Sequence, residues 1–163
     1  MRFGINSFLF TSPFTTKSVS LFKTFKKWVF DTVEIPIEDP SHIDPAKVKA
    51  AADKAGIAIG SVCACMGPGR DFRGSKADQA AAMAYCKALI DQAVILGCPS
   101  LIGPVYSVVG KADAVEPAQQ KVEWALVVKN LKVLSAYAAK KGVTICVEPL
   151  NRFETDFLNT CDQ

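Results

Sequence analysis

The sequence predicts an α/β fold whose parallel sheet is assembled from successive strand–helix units. Three observations point there. Strand-forming and helix-forming runs alternate along the whole chain at a spacing of roughly 30 to 45 residues, the pattern of βα units with right-handed crossovers. The run "IAIGSVCACM" (57–66) shows no polar alternation, as expected of a strand buried on both faces. Neither G-x-G-x-x-G nor G-x-x-x-x-G-K-[ST] is present, so the usual mark of an open nucleotide-binding sheet is missing and a (β/α)₈ barrel becomes the better choice.

Each element has its own signal. "MRFGINSFLF" mixes strand formers with a glycine, and a polar loop from Thr11 to Thr16 follows. In "KSVSLFKTFKKWV" Phe22, Phe25 and Val29 form a helical stripe widened by Leu21 and Trp28, with lysines opposite. "TVEIPI" is the second strand. A helix then starts at Asp44 as N-cap with Pro45 in its first turn, and Gly56 stops it. After the third strand, "GPGRDFRG" is a loop, and Ser75 with Asp78 forms a capping box ahead of a long helix. Its stripe is Met83, Cys86, Ile90 and Ala93, ended by Gly97 and Pro99. "SLIGPV" is the fourth strand. A helix from Pro117 carries the stripe Trp124, Val128, Leu131, Leu134 and Ala138, Gly142 stops it, and "VTICVEPL" is the fifth strand.

Composition narrows the function. A chain of 163 residues, 50% hydrophobic, has length and apolar content for one domain with its own core, spanning residues 1–163. Its net charge of +3 is dispersed apart from Lys23, Lys26 and Lys27, so no basic stripe argues for nucleic acid. No apolar run is long enough to span a membrane, and no secretory signal is visible. The six cysteines fall mostly inside apolar runs, which reads as a cytoplasmic protein with reduced, packed thiols. Cys63 and Cys65 are two apart, sharing a strand face rather than forming a C-x-x-C turn. The expected partner is a small molecule.

The chemistry concentrates in "ICVEPLNRFETDF" (145–157), where a buried strand runs directly into Glu148 and then into Asn151, Arg152, Glu154 and Asp156. Ligands of α/β sheets and barrels sit at the C-terminal strand ends, so Glu148 is delivered to the site, and Pro149 stops ladder pairing beyond it. An ion pair of Glu148 with Arg152 is the alternative reading. Tyr106, in the loop after the fourth strand, is either an aromatic that stacks on the ligand or a cover for the end of the barrel. Glu34 lies inside the second strand, where an ion pair is at least as good an account as ligation. His42, the only histidine, reads as a surface residue, and Asp39 and Asp71 have no ligand spacing.

"VEPLNRFETDFLNT" closely resembles the fifth-strand motif of the ketose 3-epimerase family, within the xylose isomerase-like sugar isomerase and epimerase TIM barrels. Its E-x-x-N-R-F-E core is fairly specific. Looser similarity covers "FGINSF", "DTVEIPI", the cysteine-containing third strand, "GPGRDF" and "GSKAD", so the resemblance runs through essentially the whole chain. It implies metal-dependent epimerisation of a ketose at C3 through a cis-enediolate, with manganese, cobalt or magnesium as the cation. Glu148 matches the glutamate that is both metal ligand and acid/base group. Glu154 matches one that contacts substrate hydroxyls.

The family takes its other metal ligands, an aspartate, a histidine and a second glutamate, from strands six to eight. This sequence stops at Gln163. The expectation is therefore a partial (β/α)₈ barrel of the first five βα units, with strands six to eight absent, weak or absent metal binding in this chain, and little turnover by it alone. Two unpaired sheet edges predict self-association. The competing readings are a non-catalytic sugar-binding or assembly module and an inactive fragment. An open frame continuing beyond residue 163 favours the enzyme, and a stop codon there favours the others.

Overall fold

The computed structural model describes residues 1–163. Five strands, β1 (Gly4–Asn6), β2 (Thr32–Ile37), β3 (Ala58–Ala64), β4 (Ser100–Gly103) and β5 (Thr144–Val147), form one sheet in the order 1-2-3-4-5. All four pairings are parallel. Four helices join them: α1 (Leu21–Lys27), α2 (Pro45–Ala55), α3 (Lys76–Leu96) and α4 (Pro117–Ala139). Sequential order with right-handed crossovers puts every helix on the same side. In keeping with this, α1 packs on α2, α2 on α3 and α3 on α4.

Local chemistry sets the helix ends. The Asp44 carboxylate accepts from the Lys47 amide at 3.1 Å, Pro45 occupies the first turn and Gly56 closes α2 at φ 68°. Ser75 and Asp78 exchange bonds of 2.9 and 3.2 Å at the head of α3. His42 is exposed, in a single 3₁₀ turn. No helix is long and apolar enough to cross a membrane.

Two helices differ from their sequence patterns. α1 ends at Lys27, because Val29 turns to φ 69° and leaves the helix; it is 80% exposed, while Phe22 and Phe25 are fully buried. The preceding residues, Thr16–Ser20, form a 3₁₀ turn capped by Thr15 and Ser18. On α4 the buried positions are Glu123, Val127, Leu134 and Ala138, while Trp124 and Val128 lie at the surface. The stripe shifts by one position in the first half because Glu123 is drawn inward to a buried arginine, Arg73.

The two faces of the sheet are chemically distinct. Val33, Ile35 and Ile37 alternate into the helix-covered core, together with Ile59, Val62 and Leu101. The opposite face is lined with small and polar groups, so β3 is not the uniformly apolar strand that its sequence suggests. A Cβ on Gly4 would stand 2.7 Å from Thr32 Oγ1, and one on Gly60 would stand 3.1 Å from the Thr32 side chain. A register shift after Val33 brings Ser61 beside Glu34. At the other end of the sheet Gly103 has φ 117°, and a Cβ there would meet the Ala64 carbonyl oxygen at 2.8 Å. Only glycine permits both that backbone angle and that approach of β4 to β3.

Candidate active site

The C-terminal strand ends surround a cleft of about 570 Å³. Every strand contributes: Asn6 from β1, Glu34 from β2, Cys63 from β3, Pro104 just after β4 and Glu148 just after β5.

Glu148 is held where the sequence places it. Its amide donates to the Gly103 carbonyl at 3.0 Å, so the ladder with β4 reaches one residue beyond the strand and fixes the carboxylate over the cleft. Pro149 follows, and the amide of Leu150 closes the loop on the Leu158 carbonyl at 3.0 Å. Arg152 faces a different hollow with Thr155 and Asn159, so the Glu148–Arg152 pair does not form. Glu154 enters the same cleft as Glu148. Asn151 orients it by donating from its side chain to Glu154 Oε2 and by accepting from the Glu154 amide at 3.1 Å. The Gly110 amide holds the Glu154 carbonyl at 2.8 Å.

Glu34 is the residue that sequence reasoning left aside. It takes no ion-pair partner. Asn6 Nδ2 donates to its Oε1 at 2.8 Å and Ser61 Oγ to its Oε2 at 2.5 Å, and it lines the cleft with Glu148. The signal was present in "TVEIPI": strand alternation puts Glu34 on the face opposite Val33 and Ile35, which in a barrel is the interior. Cys63, which is buried, and Cys65, which is half-buried, also line the cleft. The adjoining Cys65 thiol and burial, with added repulsion from Glu34 and Glu148, hold the Cys63 thiol well above its ordinary range.

Tyr106 goes elsewhere. Its ring is 1% exposed, stacks on Phe157 at 5.6 Å between centroids and donates from its hydroxyl to the Leu158 carbonyl at 3.4 Å. It does not line the cleft that holds Glu148 and Glu154. Burial, with the nearby Glu148 charge, pushes its phenol up to about 12.

The Glu148 carboxyl is raised above its ordinary value of 4.5 by partial enclosure in the cleft, with repulsion from Glu34 and Glu154 adding to it. The folded chain thus holds this proton more tightly than the unfolded chain does. Below pH 4.5 both states are protonated; as pH climbs from there through the raised value, the folded state loses stability. In metal-free buffer the Glu148→Gln variant should therefore unfold at higher urea than the parent at neutral pH and at the same urea below pH 4.5. A lower midpoint at neutral pH would show that the charged form is favoured in the fold.

Four glutamates line the cleft, Glu34, Glu38, Glu148 and Glu154, and carboxylates are the hard oxygen donors that magnesium or manganese prefers. The donor chemistry fits a divalent cation, but the arrangement is incomplete, because no three of the chain's His, Cys, Asp or Glu residues stand close enough together to hold one.

A second carboxylate-rich cluster lies behind the cleft. The buried Arg73 guanidinium bonds Asp156 through both terminal nitrogens at 2.6 and 3.1 Å, and Glu123 through Nε at 2.7 Å. It also lies 4.8 Å from the centre of the Phe157 ring. Lys111 pairs with Asp71 at 3.1 Å beside it. This network ties the loops after β3 and β4 and helix α4 to the segment that carries Glu154.

The model of the xylose isomerase-like TIM barrel family matches residues 22–163. The chain is 28% identical over 164 residues to a probable ketose 3-epimerase of Synechocystis sp., covering all of this chain and 56% of that protein. It is 25% identical over 166 residues to the D-psicose 3-epimerase of Agrobacterium fabrum, covering 98% of this chain and 56% of the relative. Among solved structures, a D-allulose 3-epimerase from Methylomonas sp. in complex with D-allulose superposes with a TM-score of 0.87 at 23% identity, over 98% of this chain and 55% of that one. The chain thus spans about half the length of the curated relatives it matches. The five strands and four helices are part of a (β/α)₈ barrel, and the chain belongs to the xylose isomerase-like TIM barrel family.

Proposed function

We propose that residues 1–163 form the part from β1 to β5 of a sugar epimerase that inverts a ketose at C3. The observation that carries this reading is the placement of Glu148 just after β5, in a cleft shared with Glu34 and Glu154 whose partial enclosure and negative charge raise its carboxyl above the ordinary value. The ketose 3-epimerase relatives support the substrate class. In the proposed reaction Glu148 takes the C3 proton, the electron pair moves toward the C2 carbonyl oxygen, and a cis-enediolate results. A second acid on the opposite face returns a proton to C3. Glu154 bonds a substrate hydroxyl. Glu34, fixed by Asn6 and Ser61, adds negative charge that keeps Glu148 basic.

A divalent cation, manganese, cobalt or magnesium, would stabilise the oxygen charge of the enediolate, with Glu148 among its ligands and the remaining ligands outside residues 1–163. The chain by itself is then a poor catalyst. The test is C3 hydrogen exchange: a ketose in deuterium oxide with manganese and a protein extended by three further βα units should lose its C3 proton signal. Retention of that signal, with the extended protein folded, would refute the proposal.

The second reading, an assembly module, draws on the sheet edges. β5 exposes Thr144, Cys146 and Val147, and an apolar hollow of about 200 Å³ opens beside it between Val147, Trp124 and Val128. Unpaired strand groups next to apolar surface favour self-association of the 163-residue chain. Sedimentation should show dimers or larger species at micromolar concentration. A monomer that unfolds cooperatively would argue against it.

A further inference from the structure

Arg70 is the only basic residue that lines the cleft. Its guanidinium is fixed before any ligand arrives. Nη1 donates to the Glu38 carbonyl at 2.8 Å, the plane lies 4.0 Å from the centre of the Tyr85 ring, and a Cβ on Gly67 would stand 3.3 Å from Nη2. Tyr85 is itself immobilised, donating to the Ile37 carbonyl at 2.6 Å and accepting from the Cys65 amide at 2.8 Å. Arg70 therefore rests on a platform that stitches the end of β2 to the end of β3.

What this arginine lacks is an anion. It forms no ion pair, and its bond to the Glu38 carbonyl is its one side-chain hydrogen bond. Glu38 supplies a carbonyl rather than a counter-charge; one carboxylate oxygen takes the Ser12 hydroxyl at 2.8 Å and the other is enclosed. A guanidinium has five N–H donors in a planar fork suited to phosphate or carboxylate, so most of that fork is left for a ligand.

The cleft is polarised in consequence. Glu34 lies four residues before Glu38, about 13 Å of extended strand. Glu34, Glu148 and Glu154 thus stand away from the β2–β3 rim where Arg70 lies, and of the four cleft glutamates only Glu38 shares that rim, its carboxylate held by Ser12 on one oxygen and enclosed on the other. We propose that Arg70 is a specificity residue that binds a terminal anionic group, phosphate or carboxylate, on the end of the ketose remote from C3. This rests on the reading of the cleft as a ketose site.

The test measures binding to the 163-residue chain of three probes: D-fructose, D-fructose 6-phosphate and D-fructuronate, with inorganic phosphate as a control. Either anionic sugar, or both, should bind about tenfold to a hundredfold tighter than D-fructose, and tighter than inorganic phosphate. Comparison of the two anionic sugars identifies the group. In Arg70→Met that ratio should fall toward one, and Arg70→Lys, which keeps the charge but not the fork, should fall between. Equal affinities of the parent chain for all three sugars, or a preference that survives in Arg70→Met, would overturn the inference while leaving the ketose reading intact. Failure of all three sugars to bind would overturn both. The comparison of probes on the parent chain needs no variant to fold.

Discussion

Glu148→Gln in the extended protein should lower C3 proton exchange by about 10³-fold or more, whereas Glu154→Gln should lower it only roughly tenfold to a hundredfold. The two residues share the cleft and both are carboxylates, so the contrast isolates role from location. Glutamine at 148 keeps the shape and the backbone bond to Gly103 but removes the basic oxygen that, on the proposed mechanism, takes the proton. At 154 the amide still bonds a hydroxyl, and Asn151 still orients the loop. Exchange is read by loss of the C3 proton resonance at saturating ketose, with manganese present. Equal and modest losses would show that Glu148 is not the chemical group, and family membership would then report the fold without the reaction.

The largest effect on stability is expected at Arg73. Arg73→Met should cost about 3 to 5 kcal/mol, because it leaves Glu123 and Asp156 buried without their common counter-charge. The side chain is fully enclosed, so solvent cannot replace the lost bonds. A urea titration gives the number directly. Removing the charges as well, in Arg73→Met with Glu123→Gln and Asp156→Asn, should recover a good part of the loss, since uncharged partners need no cation. A loss below about 1 kcal/mol from the single change would place the network in water rather than in the core.

The sheet was legible because each βα unit announces itself twice, in its apolar periodicity and in its punctuation. Asp44, Pro45 and Gly56 bound α2, and Ser75 with Asp78 opens α3, through bonds made within a few residues. What escaped notice depends on contacts between distant residues. The buried face of α4 is turned by Arg73, fifty residues before Glu123, and nothing near Glu123 signals it. Val29 fits the periodicity of α1 but sits in a left-handed turn that periodicity does not encode. At the site, Glu148 and Glu154 stand in a dense polar motif, whereas Asn6, Glu34 and Ser61 come from three separate strands and meet only when the sheet forms. Tyr106 was ambiguous because a loop aromatic can face either way, and its stack on Phe157 settles the direction.

The unbroken strand order also bears on how the chain acquires its structure. Each strand pairs with the strand one unit earlier, so every new unit finds its template already made upstream. Every pairing is with a strand made earlier, so assembly can proceed from the N-terminus as the polypeptide leaves the ribosome. The Arg73–Asp156 bond breaks this rule, spanning 83 residues. Vectorial growth therefore leaves Arg73 without half of its carboxylate shell until the segment bearing Glu154 has emerged, and the reactive lip of the cleft is the last part to lock.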